Sequence, residues 1–153
     1  MTQKTTSNNT TREIQSIGQN DFLNVLYPQP AAKTWLELRC IHPQTGEVQT
    51  FWTQLHNQKQ TTSVLKQIAK LNTEGFGLFF APCLRKDKKG SAASAILLPA
   101  LWVDVDCDDD QQLREKGMAK LCDFDPAPSI ILDSGGGWHG YWLLDEPFML
   151  NTE

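Results

Sequence analysis

Apolar residues first become regular at Phe22, Leu23, Val25 and Leu26, which predict a short helix ended by Pro28 and Pro30, because a proline inside a helix lacks the N–H and clashes with the preceding turn. Before that point, residues 1–18 are dominated by Thr, Ser, Asn and Gln without a hydrophobic period. They bury too little apolar surface to offset the entropy of ordering and predict a flexible polar tail, followed by one domain over 19–153. Residues 34–41 and 48–52 flank Pro43-Gln44-Thr45-Gly46, which has turn chemistry, and predict a hairpin. Val64, Leu65, Ile68, Ala69 and Leu71 then recur at helical spacing between Thr61-Thr62-Ser63, which can cap a helix, and Gly75, which can stop one.

The second half reads as strands around one more helix. Gly77-Leu78-Phe79-Phe80-Ala81 predicts a short strand, and Arg85-Lys86-Asp87-Lys88-Lys89-Gly90 a charged, solvated loop. Pro99 places the next strand after itself, over 100–105. Leu113, Met118, Ala119 and Leu121 predict a helix that Gly117 weakens by about 1 kcal/mol relative to Ala. Ser129-Ile130-Ile131-Leu132 is a strand, and residues 138–144 return as another after Gly135-Gly136-Gly137. Helices interspersed with hairpins predict an α+β fold with a mainly antiparallel sheet and flanking helices.

A chain of 153 residues with 40% apolar residues fits one globular domain. Nothing approaches the roughly 18 consecutive apolar residues of a membrane span, and no apolar signal core follows Lys4, so a cytoplasmic protein without a membrane partner is expected. Cys40, Cys83, Cys107 and Cys122 form no CxxC pair, which agrees with a reducing compartment and speaks against zinc or a disulfide framework. The formal charge of -4 conceals a local excess: Asp104, Asp106, Asp108, Asp109 and Asp110 fall together, and the remaining acids nearly balance the 14 Lys and Arg residues.

That acidic stretch ends an apolar strand, Leu101-Trp102-Val103-Asp104-Val105-Asp106. Strand residues two apart share a face about 6.6 Å from one another, so Asp104 and Asp106 point together and Val103 and Val105 point oppositely. Two like charges so placed are costly at the edge of a core unless a cation neutralises them or one stays protonated, and a hard divalent ion such as Mg²⁺ suits oxygen donors and keeps waters that a phosphate can displace. Asp108, Asp109 and Asp110 have a plainer role as a solvated loop and helix cap. A calcium-binding loop would use Asp104, Asp106, Asp108, Asp110 and Glu115, but it needs Gly where Asp109 stands. The strand ending in Asp-x-Asp also resembles a phosphatase of the haloacid dehalogenase type, with Cys107 where that resemblance wants Thr or Val.

The second unusual segment is Leu132-Asp133-Ser134-Gly135-Gly136-Gly137-Trp138-His139-Gly140-Tyr141-Trp142. Three consecutive glycines cost backbone entropy, and they make sense where a ligand approaches the main chain or amides point at phosphate oxygens. Alternation puts His139 and Tyr141 on one face and Trp138, Gly140 and Trp142 on the other. Trp138 and Trp142 are candidates for stacking on bases, although aromatics in strands more often pack in a core.

Together these motifs, in this order over residues 75–145, resemble the catalytic domain of the archaeo-eukaryotic primase superfamily, in particular the replication primases and primase-polymerases of phages and plasmids. The resemblance implies an RRM-like catalytic core and metal-dependent nucleotidyl transfer from nucleoside triphosphates on a single-stranded DNA template. Asp104 and Asp106 would be the catalytic ligands of Mg²⁺ or Mn²⁺, with His139 as the third catalytic residue. Ser134, Gly135, Gly136, Gly137 and His139 would bind the nucleotide, with positive charge from Arg85 and Lys86. A third carboxylate of the family is expected on a strand beyond Glu153, with a helicase domain or subunit as partner. The alternative is a non-catalytic remnant that binds nucleotide or DNA or mediates assembly, with the Asp pair structural; the haloacid dehalogenase-type phosphatase is a second alternative.

Overall fold

A computed structural model describes residues 18–28, 33–108 and 110–150; nearly all of the tail predicted over 1–18 lies outside them, as do Pro30 and Asp109. Helix α1 (Gln19–Leu26) leads to the hairpin of β1 (Leu36–Ile41) and β2 (Val48–Thr53), paired antiparallel as expected. Helix α2 (Gln58–Thr73) starts earlier than Thr61-Thr62-Ser63 predicts, because the Asn57 side chain accepts the Gln60 N–H at 3.1 Å and caps the helix instead. Thr61 is therefore an interior residue, its hydroxyl 3.0 Å from that of Thr53 on β2. The helix does end at Gly75, whose φ of +94° suits glycine.

Strand β3 (Gly77–Phe80) adds to β1, giving a three-stranded antiparallel sheet in the order β2-β1-β3. The short β4 (Leu84–Arg85), the long β5 (Ala95–Asp106), helix α3 (Gln111–Asp123), β6 (Ile130–Asp133) and β7 (Gly137–Met149) form the rest. Their sheet runs β4-β5-β7-β6, all neighbours antiparallel. Because β5 and β6 both oppose β7, they are parallel to each other, joined through α3 with β7 inserted between them: a split β-α-β unit. Reciprocal backbone bonds between Trp35 and Arg85, 2.8 and 2.9 Å, connect the start of β1 to β4 and so link the two sheets.

Two expectations differ from what is found. Strand β5 begins before Pro99 rather than after it; the register of its pairing with β7 shifts between Leu98 and Ala100, and the irregularity absorbs the missing donor. The stretch predicted as a solvated loop from Arg85 begins in β4, with Arg85 only 8% exposed.

One core runs between the sheets, built from Phe22, Leu23, Leu26 and Tyr27 of α1 and its end, Leu36, Leu38 and Cys40 of β1, Val64, Leu65 and Ile68 of α2, and Leu97, Ala100 and Tyr141 of the larger sheet. Helix α3 covers the opposite face of that sheet. Gly117 explains itself there: a Cβ would stand 3.1 Å from Val105 Cγ1 and 3.4 Å from the Trp138 ring, so the glycine lets helix and sheet approach. Among the described residues no helix is long and apolar enough to cross a membrane.

Candidate functional site

The pairing of β5 with β7 decides what the acidic strand faces. Asp104 lies directly opposite His139, Trp102 opposite Tyr141 and Asp106 opposite Gly137. Asp104 Oδ1 stands 3.3 Å from His139 Nε2, with the carboxylate 57% and the imidazole 27% exposed. The other ring nitrogen, Nδ1, is 3.2 Å from the Tyr141 hydroxyl. A carboxylate next to Nε2 places the ring proton there in the neutral imidazole, so Nδ1 accepts and the Tyr141 O–H donates. Burial first, and then the Asp104 charge, push the Tyr141 phenol up to about 12, so it retains that proton. Tyr141 and Asp104 thus hold the ring at both ends.

These groups line a cleft of about 650 Å³ between the sheets, with Phe22, Leu38, Leu65 and Phe80 as its apolar wall and Trp102, Asp104, Asp133, Ser134, His139 and Tyr141 as its polar floor. That lining carries two carboxylates and no Lys or Arg. An anion enters such a place together with a cation.

The three consecutive glycines have three different reasons. Gly135 has φ +89° and its N–H donates to Asp133 Oδ1 at 2.8 Å, so it serves the turn. At Gly137 a Cβ would fall 2.1 Å from the Val105 carbonyl oxygen, so it serves the contact of β7 with β5. Gly136 has open space where a Cβ would be, and its N–H has no partner among the described residues. Of the three amides expected to orient phosphates, Gly135's is already engaged and Gly136's is available.

Arg114, which the sequence did not single out, holds this hairpin from α3. Its Nη1 donates to the Gly135 carbonyl at 2.9 Å and its Nη2 to Asp133 Oδ2 at 2.8 Å, while its guanidinium lies 4.8 Å over the Trp138 ring. The Trp138 N–H donates back to the Arg114 carbonyl at 2.9 Å. The hydrogen bond from Arg114, then that from Gly135, holds the Asp133 carboxyl below its usual range. Local periodicity offers no signal for such a contact across 19 positions, although an Arg one turn into a helix after an acidic cap is a place to look.

Arg85 and Lys86 do not join the cleft. The Arg85 Nε lies 2.7 Å from Glu37 Oε2, off the line of a hydrogen bond, and its Nη1 donates to the Ser91 carbonyl at 2.7 Å. Arg39 Nε meets the other Glu37 oxygen at 2.7 Å. Buried Glu37 therefore takes the Arg85 charge that the resemblance implies for phosphate, and Lys86 is exposed outside the cleft. Trp138 and Trp142 face α3 and the loop after it, Trp142 donating to the Pro126 carbonyl at 2.7 Å. Asp110 caps α3 by accepting from Gln112 and Leu113 at 2.8 and 3.2 Å. Because Asp104 and Asp106 belong to a strand, the calcium-loop reading lacks the helix that should precede it.

Asp104 and Asp106 share a face and are exposed, and their donor set is all oxygen, which fits a hard divalent ion that keeps several waters. Among the described residues no group of three or more His, Cys, Asp or Glu side chains is gathered to hold a metal ion. No protein-family model, curated protein or solved structure matches the chain.

Proposed function

We propose that the chain binds a nucleoside triphosphate with a divalent cation at the Asp104–His139 rung and, as a primase-type domain of a replication protein, serves nucleotidyl transfer on single-stranded DNA. The observation that carries this reading is the direct opposition of Asp104 and His139 on paired strands, 3.3 Å apart, one rung from the glycine hairpin. The order of motifs that resembles archaeo-eukaryotic primases supports it independently. Mg²⁺ or Mn²⁺ on Asp104 and Asp106 would supply the positive charge that the cleft lining lacks. The protein's own groups do the rest: with Asp104 turned to the cation, His139 donates its Nε2 proton to a phosphate oxygen instead, Tyr141 keeps that ring oriented through Nδ1, and Ser134 Oγ and the Gly136 N–H offer further donors to phosphate oxygens. A helicase domain or subunit is the partner this reading implies.

One observation favours a second reading, nucleotide binding without transfer. Asp133, which lines the cleft with Asp104, is turned to Arg114 and Gly135 and is not offered as a third carboxylate. Titration with a nucleoside triphosphate in Mg²⁺ or Mn²⁺, followed by primer synthesis on single-stranded DNA, separates the two. Metal-dependent binding that Asp104→Asn/Asp106→Asn abolishes is expected; equal binding by both proteins would sink the site. Binding without synthesis selects the second reading.

A further inference from the structure

We propose that Trp102 is the platform on which the base of the bound nucleotide stacks, an inference that rests on the triphosphate reading above. Along one face of β5 stand Trp102, Asp104 and Asp106, each about 6.6 Å from the next, with Tyr141, His139 and Gly137 opposite them on β7. The face therefore runs from an aromatic rung, through an acid–imidazole rung, to an acid–glycine rung that adjoins the hairpin. A nucleotide presents base, sugar and phosphates in the same order. With phosphates at Asp104, Asp106 and Gly136, the base falls at Trp102.

The condition of the indole supports this. Trp102 is 48% exposed in the middle of a central strand and lines the cleft with Asp104 and His139. Among the described residues its N–H donates to no group and its ring stacks on no other. The tryptophans of the opposite face differ: Trp138 and Trp142 are tied by their N–H groups to backbone carbonyls at 2.9 and 2.7 Å, and Trp142 also meets Phe124 at 5.2 Å. Trp102 alone of these three offers a free π-face and a free donor beside the acids. A planar base covers that apolar surface and suits the ring whatever its identity, since every base has a π-face.

The test compares calorimetric affinities for a nucleoside triphosphate and for inorganic tripolyphosphate, both with Mg²⁺, and for a single-stranded DNA oligonucleotide, in the wild-type chain, Trp102→Ala and Trp102→Phe. The wild-type chain should prefer the nucleotide. Trp102→Ala should lose about 5- to 150-fold in nucleotide affinity, the worth of one stacked base, while tripolyphosphate binding stays within twofold and Trp102→Phe lies between. The unchanged tripolyphosphate affinity shows that the variant remains folded. An undiminished nucleotide preference in Trp102→Ala overturns the platform while leaving the phosphate site standing. Loss of single-stranded oligonucleotide binding with nucleotide binding intact assigns the indole to a template base and likewise overturns it. A wild-type chain that binds neither phosphate probe ends the triphosphate reading and this one with it.

Discussion

Replacing Gly137 by Ala should destabilise the protein far more than the same change at either neighbouring glycine. A Cβ at position 137 would sit 2.1 Å from the Val105 carbonyl oxygen and 3.0 Å from its carbon, where ordinary contact begins at 3.4 Å. The obstacle is backbone, so relief requires β5 and β7 to separate by more than about 1 Å around the rung that carries Asp106, beyond the usual 4.7–4.9 Å between strands. Overpacking of this kind costs about 1–3 kcal/mol, and each inter-strand hydrogen bond lost adds roughly 1 kcal/mol. A total of about 3–5 kcal/mol is expected for Gly137→Ala, a large share of a typical net stability of about 5–15 kcal/mol. Gly135→Ala, at φ +89°, should cost about 1–2 kcal/mol, and Gly136→Ala, in open space, less than about 0.5 kcal/mol. Urea unfolding followed by tryptophan fluorescence measures this: with a slope near 2 kcal/mol/M, Gly137→Ala should lower the midpoint by roughly 2 M. If Gly137→Ala and Gly136→Ala unfold at the same midpoint, the close strand contact is not what demands glycine, and the division of roles within the triplet is refuted.

Arg114→Ala should loosen the hairpin, costing about 1–3 kcal/mol through two charge-assisted hydrogen bonds and the stack on Trp138, measured by the same unfolding curves. Because the Asp133 carboxyl is held below its usual range, its contribution to stability is present above the unfolded-state value and lost as pH falls through the folded one. That acid-side slope should flatten in Arg114→Ala, and an unchanged slope would count against the pairing. Glu37→Gln should leave the Arg85 guanidinium buried without its counter-charge and lower stability by about 3–5 kcal/mol; a loss under about 1 kcal/mol in thermal unfolding would return Arg85 to the solvent-facing role expected from its sequence. The Tyr141 phenol, pushed up to about 12 from 10.0, contributes stability that is complete below pH 10 and fades as pH rises toward 12. Its phenolate absorbance should titrate above that of a tyrosine in the unfolded chain, and Tyr141→Phe should remove this alkaline component while keeping the ring in the core.

Much of the fold was legible because it rests on short-range period. The amphipathic spacing of Val64, Leu65 and Ile68 marks α2, the turn chemistry at Pro43 to Gly46 marks the first hairpin, and alternation alone assigns Asp104 with Asp106, and His139 with Tyr141, to common faces. Such patterns are properties of a strand or helix by itself. They are present before any partner is chosen.

Which faces meet was decided only by tertiary structure. Nothing local to Leu101 through Asp106 says that β7 rather than β6 lies beside it, nor that the register sets Asp104 against His139 and Trp102 against Tyr141. Arg85 is drawn into a buried pair with Glu37, 48 positions earlier, and Arg114 reaches Asp133 and Gly135 across a helix and a strand. Charge and hydrogen-bonding capacity are written into each side chain, but the partner that satisfies them lies wherever chain entropy and packing of the shared core allow two distant segments to touch. The acids and the imidazole are thus matters of sequence; that Asp104 meets His139 in the cleft, while Asp106 stands outside its lining, is a matter of strand order.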